Sequence, residues 1–397
     1  MQNQPVVEVL DQVETAVPHT TGDLAQLELP VPRLAFSRWD TANGAVSSLR
    51  TAQDRKGWQC VRPFKSIRSG ASSAWLTHGR RPRTVDLLTM LMGIQLGAYT
   101  PSEFGNHWDT TLAAAQAAEK AGIDSVWLAD HFMFPDYDQL DREKPVFDCF
   151  VALGGIAART TRIRIGELVV GVPYRNPALL AKMLATLDVM TNGRTIVGLG
   201  AAWHQPEFRA YGWPFPSVRD RMEMLEEAVQ IVERMLTQRP ASFSGKHYSV
   251  DQAYNDPMPV QKPRPPIMIG GSGERVTLRI AAQYADFCNV NGDPDTVAHR
   301  YDVLRQHCER IGRSPEAITR SNDMSIVIAA DEQELARKKE RFGEKFHLMG
   351  TPDQIIEGLQ RYARAGSQYV TFNMPDANRV EPILLLGETV IPHAARM

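Results

Sequence analysis

A histidine directly after an aspartate is the sharpest chemical signal in the chain: Val126-Trp127-Leu128-Ala129 runs straight into Asp130-His131-Phe132. Imidazole exchanges a proton near neutral pH and a polar neighbour can fix its tautomer, which makes His131 a candidate general acid or base. An isolated histidine is more often structural. What sets His131 apart is its place at the end of an apolar run of strand character, where barrel enzymes gather their chemistry. Two glycine-rich stretches could meet a ligand through backbone. In Val197-Gly198-Leu199-Gly200-Ala201-Ala202-Trp203-His204 small residues allow close approach, although the spacing is no dinucleotide fingerprint and a tight loop would need the same glycines. Gly270-Gly271-Ser272-Gly273-Glu274-Arg275 leads into a helical pattern near Val276, and free N–H groups at a helix start, with the Ser272 hydroxyl, suit a phosphate; an ordinary turn is the alternative.

Weaker candidates follow. Tyr174 and Arg175 could meet a substrate or a cofactor tail, though an arginine before Asn176-Pro177 is commonly a solvated loop residue. Trp203 joins Tyr174 as a substrate candidate. Lys182 and Arg279 fall on helical stretches and read as solvent-facing. No paired carboxylates, Ser/His/Asp set, metal-ligand cluster or nucleotide P-loop can be assembled from the spacing, so no metal is expected.

The elements that must position these residues alternate regularly from Met92 onward. Short apolar runs at Gly93 to Ala98, Ser125 to Ala129, Ile163 to Val170, Thr195 to Leu199, Ile267 to Gly270, Phe287 to Val290, Thr319 to Ile328 and Tyr369 to Asn373 read as strands. Between them lie helical stretches such as His107 to Ala121, Ala178 to Met190, Arg219 to Leu236 and Pro352 to Ala365, several closed by glycine. Eight βα units predict an α/β fold, a (β/α)8 TIM barrel with insertion loops. The long connections Ala202 to Val218 and Gln238 to Pro266 are those insertions; the first leaves the fourth strand at its C-terminal end.

Residues 1 to 89 lack this periodicity and carry a basic cluster between Arg50 and Arg83, opposed only by Asp54. They read as a disordered N-terminal extension able to contact anionic surfaces, or as a misassigned start with Met90 or Met92 the working beginning; residues 90 to 397 form the barrel domain. Over the whole chain of 397 residues the charge is balanced, at a formal −2, which removes the electrostatic case for nucleic acid or a membrane and favours a small-molecule partner. Met1 to Val17 is polar and acidic and does not read as a secretory signal. Cys60, Cys149, Cys288 and Cys308 are scattered, as expected of reduced thiols in a cytoplasmic protein.

Taken in order, Ser125 to His131, Tyr174 to Lys182, Gly198 to Trp203 with Glu207-Phe208 and Ala210-Tyr211-Gly212, and Pro266 to Gly273 resemble the bacterial luciferase-like superfamily, and within it the coenzyme F420 (deazaflavin) dependent oxidoreductases of actinobacterial type. The resemblance spans Gly93 to about Pro375. It implies a cofactor across the C-terminal mouth, its tricyclic ring backed by a bulge in the third strand with a non-prolyl cis peptide near Glu167-Leu168. It further implies ring contacts from Asp130 and His131, a polar contact from His204 in the ring region, small backbone at Gly200, and a phosphate turn at Gly271, Ser272 and Gly273. In the related sugar-phosphate dehydrogenases an acid stands where this chain has Ala201, so that role does not carry over. The resemblance thus implies hydride transfer between F420 and an organic substrate. Its alternatives are an FMN-dependent monooxygenase using oxygen with a separate flavin reductase, and a noncatalytic flavin-binding protein. Dimers are common among such relatives, so a homodimer is one expected assembly.

Overall fold

The computed structural model describes residues 90–96, 108–136, 139–141 and 146–397. The expectations placed on residues 1 to 89, Cys60 included, lie outside the described residues. Eight strands form the frame: β1 (Leu91–Leu96), β2 (Ser125–Leu128), β3 (Arg164–Glu167), β4 (Thr195–Gly200), β5 (Ile267–Gly270), β6 (Phe287–Asn291), β7 (Thr319–Ile328) and β8 (Tyr369–Asn373). Each pairs in parallel with the next, and β8 pairs with β1, so the sheet closes into the predicted barrel.

The sheet's inner face decides where a ligand can go. Trp127, Ile196, Met268, Phe287 and Tyr369 fill the lower interior as one cluster, joined by Leu91 and Leu168. The Tyr369 hydroxyl, buried with them, is satisfied by Ser125 Oγ at 2.5 Å and Asp124 Oδ2 at 2.6 Å. Side chains alternate across a strand, so residues two further along face the same interior one layer higher. There Phe287 is followed by Asn289, Ile196 by Gly198 and Met268 by Gly270. Large side chains plug the bottom, and small or polar ones leave the C-terminal mouth open.

Helices cover the outside where the sequence supplies an apolar face and a start signal. In α1 (Trp108–Ala121) buried alanines allow close packing on the sheet. In α3 (Pro177–Met190) Asn176 caps the amides of Ala178 and Leu179, with Pro177 in the first turn. Further helices, beyond those named from the sequence, include α2 (Cys149–Ala157), α4 (Gln205–Ala210), Pro294–Arg310, Glu332–Phe342 and, near the C-terminus, Glu381–Thr389. The long segment after α5 (Val218–Thr237) contains an antiparallel hairpin, Ala241–Ser244 with Ser249–Ala253.

The third strand is shorter than predicted. β3 ends at Glu167, a cis peptide joins Leu168 to Val169, and the chain re-pairs at Val170–Gly171 with Leu199 and Gly200 of β4. The implied cis bond therefore falls one residue beyond Glu167-Leu168. The glycines around it make room for protein, not only for a ligand: a Cβ on Gly200 would lie 2.5 Å from Val169 Cγ2, and one on Gly270 2.7 Å from Val169 Cγ1. A Cβ on Gly198 would overlap the carbonyl oxygen of Glu167, which is backbone and cannot turn aside. Gly198→Ala is accordingly expected to destabilise the barrel by about 1–3 kcal/mol through overpacking, read as a lower urea midpoint at unchanged m-value; a midpoint equal to wild type would show that the bulge yields.

Candidate functional site

A cavity of about 390 Å³ opens at the C-terminal mouth, within the range typical of small-ligand sites. Its two sides differ in chemistry. The β2 to β4 side presents Ala129, Leu168, Val169, Gly200 and Ala201, with His131 and Tyr174 beside them; the β6, β7 and β1 side presents Asn289, Asn291, Asp323 and Gln95.

One carboxylate organises the first side. Glu207, fully buried on α4, accepts four hydrogen bonds: from the backbone N–H groups of Phe132 and of Met133 (2.9 Å) on Oε1, and from His131 Nδ1 (3.0 Å) and the Tyr174 hydroxyl (2.9 Å) on Oε2. Burial works against its charge, but His131 and the amides of Met133 and Phe132 prevail and hold the carboxyl below its usual range. Tyr174 is driven the other way, by burial and by the Glu207 charge, and stays a neutral donor. With Nδ1 committed to Glu207, the His131 nitrogen left to exchange a proton is Nε2. His131, His204 and Glu207 offer ligand atoms within 4.8 Å of one another, yet the lone pairs of Glu207 are already taken by four donors. A proton-handling pair fits this geometry better than a metal centre.

Asp130 also lines the cavity, but its oxygens are spoken for. Oδ1 accepts from Arg175 Nη2 at 2.7 Å and Cys149 Sγ at 3.3 Å, and Oδ2 from Gly171 N at 3.3 Å and Arg175 Nε at 3.4 Å. Arg175 reaches Asp148 as well, at 3.0 Å, and is no solvated loop residue: its side chain is 13% exposed. Asp130 thus ties the end of β2 to the chain leaving β3. Arg279 likewise pairs with Glu226 at 2.7 and 2.8 Å, and the Lys182 ammonium meets the carbonyl of Asp256, so neither is simply solvent-facing.

Two of the expected cofactor contacts stand behind the cavity wall. His204 is buried, does not line the cavity and finds no hydrogen-bond partner for either ring nitrogen; burial lowers its pKa and keeps it neutral. Trp203 covers it at the rim, half exposed. Glu167 lies on the outer face of β3, the face it shares with Ile165 and Leu128, and is fully buried with neither carboxylate oxygen within hydrogen-bond geometry of a partner. Burial, reinforced by the charge of Asp130, pushes its pKa up to about 8. Leu168, Gly200, Gly271 and Ser272 do line the cavity, while Gly273 lies just past it. Ser272 Oγ donates to Asn291 Oδ1 at 2.7 Å and accepts from Asn291 N at 3.2 Å, so its hydroxyl pins the loop to β6. The amides of Ser272 and Gly273 have no acceptor among the described residues. Glu207 and Asp323 received no role from the sequence; the visible hints were the Glu207-Phe208 match in the family resemblance and the place of Glu207 in the long loop after β4.

The family model for luciferase-like monooxygenases matches residues 87–343. The chain belongs to the luciferase-like family. It is 28% identical over 310 residues to an F420-dependent glucose-6-phosphate dehydrogenase of Microbacterium testaceum, covering 69% of this chain and 90% of that one. An uncharacterised Mycobacterium tuberculosis protein is 31% identical over 268 residues, covering 64% and 91%. Among solved structures, an F420-dependent secondary alcohol dehydrogenase shares the fold at TM-score 0.65 and 20% identity, over 77% of this chain and 99% of that one. A Streptomyces bottropensis monooxygenase does so at TM-score 0.66 and 21%, over 77% and 100%. The luciferase-like chain described here is an enzyme of the oxidoreductase class, which sets aside the reading as a noncatalytic binding protein. No helix among its described residues is long and apolar enough to cross a membrane.

Glu167 gives this enzyme a pH signature of its own. A folded pKa near 8 against an ordinary 4.5 means that the folded state holds a proton which the unfolded chain releases. The stabilisation is full below about pH 4.5 and is lost as pH rises towards about 8, by roughly 1.4 kcal/mol per pH unit. Glu167→Gln, neutral at every pH, is expected to flatten that decline in urea unfolding between about pH 6 and pH 8; parallel wild-type and variant curves would mean that Glu167 is ionised in the folded protein.

Proposed function

We propose that the protein is an F420-dependent oxidoreductase that moves a hydride between the deazaflavin and an organic substrate. The observation that carries this reading is the His131–Glu207 pair: a histidine on the cavity wall, oriented through Nδ1, with Nε2 left to exchange a proton at the mouth of a luciferase-like barrel. The sequence relatives named for F420, aligned over 90% of their length, favour the deazaflavin over FMN.

The residues present fit such a cofactor. Leu168 and Val169 offer an apolar wall of the kind a flat ring packs against. The unengaged amides of Ser272 and Gly273, beside Gly271, offer donors for a phosphate, with the Ser272 hydroxyl holding their loop in shape. When bound, the deazaflavin would supply a ring carbon that accepts or gives a hydride and reacts slowly with oxygen. The chain's own residues do the rest. His131 Nε2 holds or moves the accompanying proton, or offsets charge on the ring; Glu207 keeps the imidazole in one tautomer; and Tyr174 holds Glu207.

The test is a titration of the full chain with F420 and, separately, FMN, followed by ring fluorescence and oxygen uptake. Tighter binding of F420 without oxygen consumption is expected; preferential FMN binding with oxygen uptake would instead make the protein a flavin monooxygenase fed by a reductase. In the F420-loaded enzyme His131→Ala should lower kcat by about 10²–10⁴-fold with folding intact, and unchanged turnover would remove His131 from the chemistry.

A further inference from the structure

Opposite His131, the cavity carries a second acid. Asp323 sits on β7 in register with Thr371 of β8 and Asn291 of β6, so its side chain closes the polar side of the barrel mouth. Its hydrogen bonds run in one direction. Asn289 Nδ2 can only donate, and gives one proton to Ser321 Oγ at 2.8 Å and the other to Thr371 Oγ1 at 3.0 Å. The Thr371 hydroxyl, one lone pair so engaged, donates its own proton towards Asp323 Oδ1 at 2.9 Å, with the carbonyl oxygen of Asn322 a more distant acceptor at 3.3 Å. The amide of Met324 also reaches the carboxyl. A carboxylate has about four acceptor sites; two are used here. Of the two acids that line the cavity, Asp130 is saturated by Arg175, Gly171 and Cys149, and Asp323 is the one with capacity to spare.

The rest of the lining narrows the class of ligand. Among the described residues no lysine or arginine lines the cavity, so none of them offers a fixed cation to a phosphate or carboxylate of a substrate. The polar residues lining the cavity on its Asp323 side, Asn289, Asn291 and Gln95, are uncharged. Burial pushes the Asp323 carboxyl up to about 7, against the opposing bonds from Thr371 and Met324, so both protonation states are accessible near neutral pH.

We propose that Asp323 is the catalytic residue on the substrate side, exchanging the hydroxyl proton of an uncharged, unphosphorylated secondary alcohol with its ketone. This deepens the deazaflavin reading above and rests on it for the redox partner. In the oxidative direction the C–H bond of the carbinol carbon breaks, its electron pair leaving as hydride to oxidised deazaflavin. The O–H bond breaks as its proton passes to the Asp323 carboxylate, and the C=O double bond forms. Reduction of the ketone runs the same exchange backwards, with Asp323 giving up its proton.

The test uses the full chain as wild type, Asp323→Asn and Asp323→Glu. In infrared difference spectra of the apoprotein between about pH 5 and pH 9, a protonated-carboxyl band absent from Asp323→Asn is expected, and cyclohexanol should shift it. Cyclohexylamine or glucose 6-phosphate shifting the band while cyclohexanol does not would overturn the alcohol assignment. In the F420-loaded enzyme, turnover of a panel of unphosphorylated secondary alcohols should fall at least about 100-fold in Asp323→Asn, with F420 affinity within about twofold of wild type. Asp323→Glu should restore part of the rate with a displaced pH profile. Full turnover in Asp323→Asn would sink the proposal. Failure of F420 to bind would remove the cofactor reading alone, because the cyclohexanol-dependent band would still assign Asp323 as the acid that meets the alcohol.

Discussion

The mouth of the barrel depends on one buried carboxylate. Glu207 gathers the amides that follow β2, the imidazole of His131 and the hydroxyl of Tyr174, so that α4, the exit of β2 and the chain leaving β3 share a single anchor. An ion of this kind loses several kcal/mol of hydration on burial, and only a full set of donors offsets the loss. Here two oxygens accept four. The aromatic rings of Phe132, Tyr174, Phe208, Tyr211 and Trp213 pack edge-on and tilted around it, excluding water and strengthening each of those bonds. The orientation of His131 is a consequence of this arrangement rather than of its immediate neighbour in sequence.

Three acids at the same end of the barrel are treated in three ways. Arg175 reaches both oxygens of Asp130. Glu207 stays charged through hydrogen bonds alone. For Glu167, burial and the Asp130 charge outweigh the backbone hydrogen bonds and the Arg175 charge that oppose them, and the carboxyl is pushed up to about 8. Cys149 lies against Asp130 and Arg175, and burial together with the Asp130 charge raises its thiol well above the ordinary range, so it packs as a small apolar group. The three cysteines among the described residues are all unpaired thiols.

The cavity inherits its asymmetry from the strands that build it. On the β3 to β5 side, glycines make way for Val169 and yield a smooth apolar wall. On the β6 to β8 side, the same layer carries Asn289, Asp323 and Thr371, which hydrogen-bond to one another in sequence. Neighbours at about 20% identity share the barrel and are named for different chemistries, as expected where a common frame carries sites that vary by strand-end residues and loops.

All eight strands and the principal helices were legible from periodicity, because a parallel barrel buries both faces of each strand and one stripe of each helix. The turn at Gly271 to Gly273 and the placing of His131 at a strand end followed from the same pattern. What it could not supply were partnerships between distant residues. His131 and Glu207 are 76 positions apart, and Asp323 and Thr371 are 48 apart; nothing local marks Glu207 as the partner of His131 or Asp323 as facing the cavity. For the same reason nothing in the sequence shows that Arg175 holds Asp130, or that His204 is buried beside Trp203 and off the cavity lining. Local sequence sets which element forms and which way its side chains alternate. Closure of the barrel alone decides which buried acid finds donors, which keeps a proton, and which is left facing the ligand.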